Sequence, residues 1–196
     1  TSPSSVRLSG SFNSNNAALT LGDSNTAMLL QANTTINSGT AVTTLGGTVN
    51  GAYAFTVSSP VVISGGSVDT GTAPQSYASS MTLHADTALT AASLTVTGAI
   101  SGVATNSSLI VNSNSSFNGG SVNTGTGTQT YNGTVSTGQN TVFTGSTVTF
   151  NGNVNGTGNL SVSGASILNA GSFITTGAQS YSGAVTLGAD ATLTST

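Results

Sequence analysis

The sequence predicts an all-β fold: a parallel β-helix, or β-solenoid, of short strands with a super-repeat of about 50–54 residues. Three observations point there. One phrase returns along most of the 196 residues. Within each copy, apolar and polar residues alternate with period two between clusters of Gly, Asn and Asp. Only 3% of the residues are charged, far below the roughly 25% of an ordinary soluble domain, so order must come from backbone pairing and rows of uncharged side chains.

Residues 1–18 carry Val6, Leu8 and Phe12 as their only large apolar residues and read as a lead-in or a decayed repeat. The repeat segment is taken as 19–196. Its fuller motif opens on a large residue at Leu45, Tyr77, Val96, Tyr131, Phe150 and Tyr181. Four places later stand Val49, Met81, Ile100, Val135, Val154 and Val185. The leading residues are 32, 19, 35, 19 and 31 apart, so adjacent pairs sum to 51, 54, 54 and 50. The Val96 copy needs about three extra residues around Ala104–Ser107. The long intervals hold a second phrase: ISGGSVDTGTAPQSY at 63–77, FNGGSVNTGTGTQTY at 117–131 and LNAGSFITTGAQSY at 168–181.

Val, Thr, Phe and Tyr suit a pleated strand, and Gly and Asn supply the positive φ of tight corners. No 11-residue window offers an amphipathic helix, because Gly or β-branched residues interrupt each one. A β-sandwich of hairpins is the alternative, but a 19-residue interval is too short for an independent sandwich and suits one solenoid rung. The super-repeat then divides as three rungs or as two unequal ones, with three preferred. Stacking places Tyr131 beside Phe150 and Val135 beside Val154 inside, and Asn132 over Asn151 and Gly133 over Gly152 at matching corners. Stacked asparagines can bond along such a ladder.

Composition also narrows function. One Arg and no Lys leave no basis for nucleic-acid binding. No run approaches the roughly 20 apolar residues of a membrane span, so no membrane insertion is expected from this segment. Cysteine is absent, which removes disulfides and thiolate metal sites. No enzyme activity, catalytic residue, metal site or cofactor is expected. His84, the only histidine, reads as an exposed corner residue rather than a catalyst. Asp23, Asp86 and Asp190 follow LTL-like strands, with Asp86 and Asp190 equivalent in the motif, and Asp69 has Asn123 as its counterpart. All read as turn formers rather than calcium ligands or a glycosidase pair. Tyr77, Tyr131 and Tyr181 could stack sugars if exposed, but align with core residues. The Thr95/Thr97, Thr147/Thr149 and Thr192/Thr194 steps could form a hydroxyl ladder of the ice-binding kind. Sequons at Asn33, Asn106, Asn114 and Asn132 follow from composition alone.

The phrases TTGAQSYSGAVTLGADATLTST (175–196) and TVTFNGNVNGTGNLSVSG (147–164) resemble repeats of filamentous-haemagglutinin-like and autotransporter-type adhesins, very large secreted bacterial surface proteins. The resemblance covers about 19–196 and rests on repeat phrases rather than a functional site. It implies a right-handed helix, an extracellular place on the bacterial cell surface, and the role of a stalk or filament. Nothing resembles the family's export domain, so a segment of a longer protein is expected. Expected partners are the chain itself, end to end, or host and abiotic surfaces and glycans. A carbohydrate- or ice-binding module using Thr, Asn and Tyr faces is the alternative function.

Overall fold

The computed structural model describes residues 4–102 and 107–196. Its 23 strands pair in one continuous sheet that winds through about nine turns. Every recorded strand pairing is parallel, so the segments stack as a solenoid and do not fold back as the hairpins of a sandwich.

Each turn has three faces, here A, B and C, met in that order along the chain. Face A can be followed through Val6, Met28, Val49, Val68, Leu89, Val111, Tyr131, Phe150, Leu168 and Leu187, each paired with the next. Face B runs Phe12, Ile36, Val57, Tyr77, Val96, Phe117, Thr137, Gly156, Thr175 and Ser195. Face C runs Leu19, Thr43, Val61, Met81, Ile100, Val122, Phe143, Val162 and Tyr181. Neighbours in a column lie 18 to 24 residues apart, from Phe150–Leu168 to Phe12–Ile36. Residues 4–18 belong to this winding: Ser4–Asn13 pairs with Thr26–Asn37 along faces A and B.

Inward and outward residues alternate along the short strands, most often in, out, in, whereas Thr48–Asn50, Ser67–Asp69 and Ser121–Asn123 turn only their central Val inward. Phe55 and Val57 are fully buried around a partly exposed Thr56, and Met81 and Leu83 around Thr82. Burying one Val, Leu, Ile or Phe side chain stabilises by roughly 1.5–3 kcal/mol, and every rung repeats it on three sides. In the later turns the three walls meet in aromatic contacts. Tyr131 and Phe150 stack at 5.3 Å and 15°. Phe143 meets both edge-on at 5.4 Å, and Phe173 meets Phe150 at 6.0 Å. The expected pairs Tyr131–Phe150 and Val135–Val154 are thus formed.

The super-repeat is not three rungs. The short 19-residue interval is one turn, as Tyr77–Val96 and Tyr131–Phe150 show. The long interval crosses five faces. Between Tyr131 on face A and Tyr77 on face B lie eight faces, two turns and two thirds. The same step carries Tyr131 to Tyr181 on face C. Sequence-equivalent residues therefore rotate around the rod by two thirds of a turn per super-repeat. The physical reason is that all three walls take the same short alternating segment. Nothing in a segment's pattern fixes which wall it occupies.

Candidate functional site

The recurring phrase builds one local device, three times, at three different edges. Gln75 is buried, and its Nε2 donates to Val68 O at 2.9 Å and Thr90 O at 2.9 Å, while Tyr77 OH donates to its Oε1 at 3.1 Å. Gln129 does the same with Val122 O (3.1 Å), Thr144 O (2.7 Å) and Tyr131 OH (2.7 Å). Gln179 repeats it with Phe173 O (2.9 Å), Thr194 O (2.9 Å) and Tyr181 OH (3.1 Å). A buried carbonyl or hydroxyl without a partner costs about 1–3 kcal/mol, and the amide satisfies three at once. At the same corner Asp69 Oδ1 accepts from Gly71 N–H at 2.8 Å, and Asn123 Oδ1 from Gly125 N–H at 2.8 Å. Gly71 at φ +55° and Gly125 at φ +61° take the left-handed turn that these Asx contacts close.

Two further copies escaped the sequence reading because they lack the Gln and Tyr. Asn13 Oδ1 accepts from Asn15 N–H at 2.9 Å, and Ser14 Oγ donates to Ala17 O. Asn37 Oδ1 accepts from Gly39 N–H at 2.8 Å. The signal available was the opening phrase: residues 11–21 and 35–45 begin small–apolar–Asn–Ser, as 121–131 begins small–apolar–Asn–Thr.

Tyr77 and Tyr131 are fully buried, and Tyr181 is half-buried, so the first two present no ring to a sugar. Burial pushes the Tyr77 and Tyr131 hydroxyls far above the usual phenol range and Tyr181 up to about 12. The exposed ring is Tyr53, which the sequence reading did not single out.

The carboxylates do not meet. Asp23 and Asp86 lie on the edge between faces C and A, three turns and about 14 Å apart. Asp69 and Asp190 lie on the edge between A and B. Asp86 and Asp190, equivalent in sequence, are thus carried to different edges by the eight-face step. Each carboxylate with a recorded bond serves the backbone or a neighbour. Thr26 Oγ1 at 2.7 Å and Asn25 N–H at 3.0 Å hold Asp23 below the usual carboxylate range, and Ser108 N–H donates to Asp86 at 2.8 Å. His84 is an exposed corner residue between faces C and A. Arg7 donates to Gln31 Oε1 at 2.9 Å.

Corner amides couple rungs. Asn169, Asn151 and Asn132 each donate Nδ2 to the Oδ1 of the rung before, at 2.7, 2.7 and 2.6 Å, ending on Asn112, which donates to Thr90 Oγ1 at 3.1 Å. Asn33 and Asn114 accept from Ala54 N–H and Thr134 N–H, both at 3.0 Å. Asn106, with the insertion expected around Ala104–Ser107, falls outside the described residues except for Ser107, which is buried and donates to Leu83 O.

The three Thr-x-Thr steps do not stack on one another: Thr95 and Thr194 lie on face B and Thr149 on face A. Face B instead carries outward Ser11, Thr35, Thr56, Ser76, Thr95, Ser116 and Ser136 in seven successive turns. Of these, only Ser116 makes a recorded side-chain bond, a 3.4 Å contact to Asn118. Shallow hollows of about 370 and 210 Å³ flank Ser116 and Ser136, and no charged residue lines either.

The arrangement defines a three-sided β-solenoid whose polar side chains mostly serve its own rungs. No family model matches the chain, no curated protein is similar to it, and no solved structure aligns with it.

Proposed function

We propose that this chain is a structural repeat segment, a stalk or filament piece of a secreted bacterial surface adhesin. One observation carries the reading: the face A column runs through ten strands without a break, from Val6 to Leu187. The corner amides that could have formed a recognition surface are spent on coupling turn to turn. A nine-turn rod at about 4.8 Å per rung is roughly 43 Å long. Negative-stain images of the purified chain should show rods with that axial length. Antibody raised against it should label intact source cells. Labelling only after permeabilisation would sink the surface role.

A second reading, glycan binding, is favoured by the hydroxyl column of face B, in which only Ser116 has a recorded side-chain bond, and by its uncharged hollows. An array of neutral polysaccharides should retain the chain, and a Ser116→Val/Ser136→Val variant should lose retention. Equal retention of both would remove the reading.

A further inference from the structure

We infer that Asn132 and Asn151 form a deamidation site that the folded rod keeps shut and that opening of these rungs sets off. The inference concerns the corner ladder between faces A and B and holds wherever the rod serves.

The close stacking of rungs dictates the dipeptide. A Cβ on Gly133 would lie 2.4 Å from Ser113 O, and one on Gly152 would lie 2.2 Å from Gly133 O. Both corners therefore take glycine. The residue just before each is a ladder asparagine, so two successive rungs carry Asn–Gly. Asparagine is among the thermolabile side chains. Glycine adds to that lability, because no Cβ stands beside its nitrogen to shield it. That nitrogen is within one residue of the asparagine Cγ and can attack it.

The step is an intramolecular acyl transfer. The Gly133 or Gly152 nitrogen bonds to the Cγ of the preceding asparagine and gives up its proton. The Cγ–Nδ2 bond breaks, and the nitrogen leaves as ammonia. A five-membered imide results. Water then adds to one of its two carbonyls and cleaves that C–N bond. Cleavage at Cγ leaves aspartate, and cleavage at the backbone carbonyl leaves isoaspartate. In sum an amide and water become a carboxylic acid and ammonia, with no change of oxidation state.

The ladder opposes the step. Asn132 Nδ2 donates to Asn112 Oδ1 at 2.6 Å, while Asn132 Oδ1 accepts from Asn151 Nδ2 at 2.7 Å. Asn151 Oδ1 in turn accepts from Asn169 Nδ2 at 2.7 Å. The backbone is tied as well: Asn132 N–H donates to Val111 O and Asn151 N–H to Tyr131 O, both at 2.9 Å. To meet the glycine nitrogen, a Cγ must swing out and give up both of its ladder bonds. Asn132 and Asn151 are exposed, so water is at hand once that happens.

The product cannot rejoin the ladder. An ionised carboxylate only accepts hydrogen bonds, so at position 132 it would face Asn112 Oδ1 with no proton between them. Conversion at both rungs would also stack two like charges about 4.8 Å apart. An opening is thus recorded as a permanent weakening of that corner.

The test is peptide mass spectrometry of the full chain after incubation at mildly alkaline pH, folded in buffer and unfolded in urea. In urea, Asn132 and Asn151 should show the mass gain of an amide-to-acid exchange, and Asn169, which precedes Ala170, should lag several-fold. In the folded chain both should last many-fold longer. Asn112→Ala removes the acceptor of Asn132 alone, and in the folded rod it should raise conversion at Asn132 several-fold over Asn151. Equal rates in buffer and in urea would overturn the protection. No conversion in urea, or an Asn169 that keeps pace, would overturn the lability. Equal conversion of the two asparagines in folded Asn112→Ala would overturn the ladder as the lock. An Asn132→Asp/Asn151→Asp variant should melt below the wild type at neutral pH and recover in acid, as its carboxyls regain protons. An unchanged melt at neutral pH would overturn the weakening.

Discussion

At the residue scale, the buried Gln–Tyr pair decides where the chain may turn. Gln129→Ala leaves Val122 O, Thr144 O and the Tyr131 hydroxyl to find other partners in a fully buried place. At about 1–3 kcal/mol for each group stranded, the loss should exceed that of a typical surface change several-fold. Urea melts of the variant check it, and a loss below about 0.5 kcal/mol would mean that the corner relaxes and finds water. Phe150→Ala acts differently, by opening a cavity among Tyr131, Phe143 and Phe173. Its expected cost is about 3–5 kcal/mol by the same melts, and a near-silent variant would contradict the fully buried ring.

At the element scale, rungs approach closely because matching corners carry glycine. A Cβ on Gly152 would lie 2.2 Å from Gly133 O, closer than any rung spacing tolerates. Gly152→Ala should therefore cost about 1–3 kcal/mol by forcing two turns apart, and amide exchange should rise at Asn132 and Asn151, whose ladder bond spans that corner. Unchanged exchange there would show that the corner yields elsewhere. The in-out-in strands, the Asn132–Asn151 ladder and the Gly133–Gly152 corner were all legible in the sequence, because residues one turn apart repeat in kind. The Gln–Tyr device was visible as a phrase and not as a contact. Its Gln bonds to carbonyls on another segment and the next turn, which spacing within one copy does not reveal.

At the scale of the whole molecule, the sequence hid the angular step of the super-repeat. Tyr77, Tyr131 and Tyr181 align in a row on the page and stand on three different walls in space. Any wall accepts any segment, so likeness in sequence carries no angle, and a site assembled from motif-equivalent residues such as Asp86 and Asp190 could not form. The same architecture fixes how the rod answers to pH. With four Asp, one Arg and one His, few groups titrate between about pH 5 and 9, and the Arg bonds to an amide. The melting temperature should hardly move in that window, or with added salt. The tyrosines behave otherwise, since burial holds their protons on: Tyr181 up to about 12, Tyr77 and Tyr131 higher still. A group with a raised folded-state value lends its full stability below the unfolded value, about pH 10 for a phenol, and loses it as pH climbs through the folded one. Melting temperature should thus fall steadily from about pH 10 upward. Tyr131→Phe should flatten part of that fall while costing stability at pH 7 through the orphaned Gln129 Oε1. A wild-type curve that stays level to about pH 12 would mean that these hydroxyls reach solvent, and the closed interior would have to be abandoned.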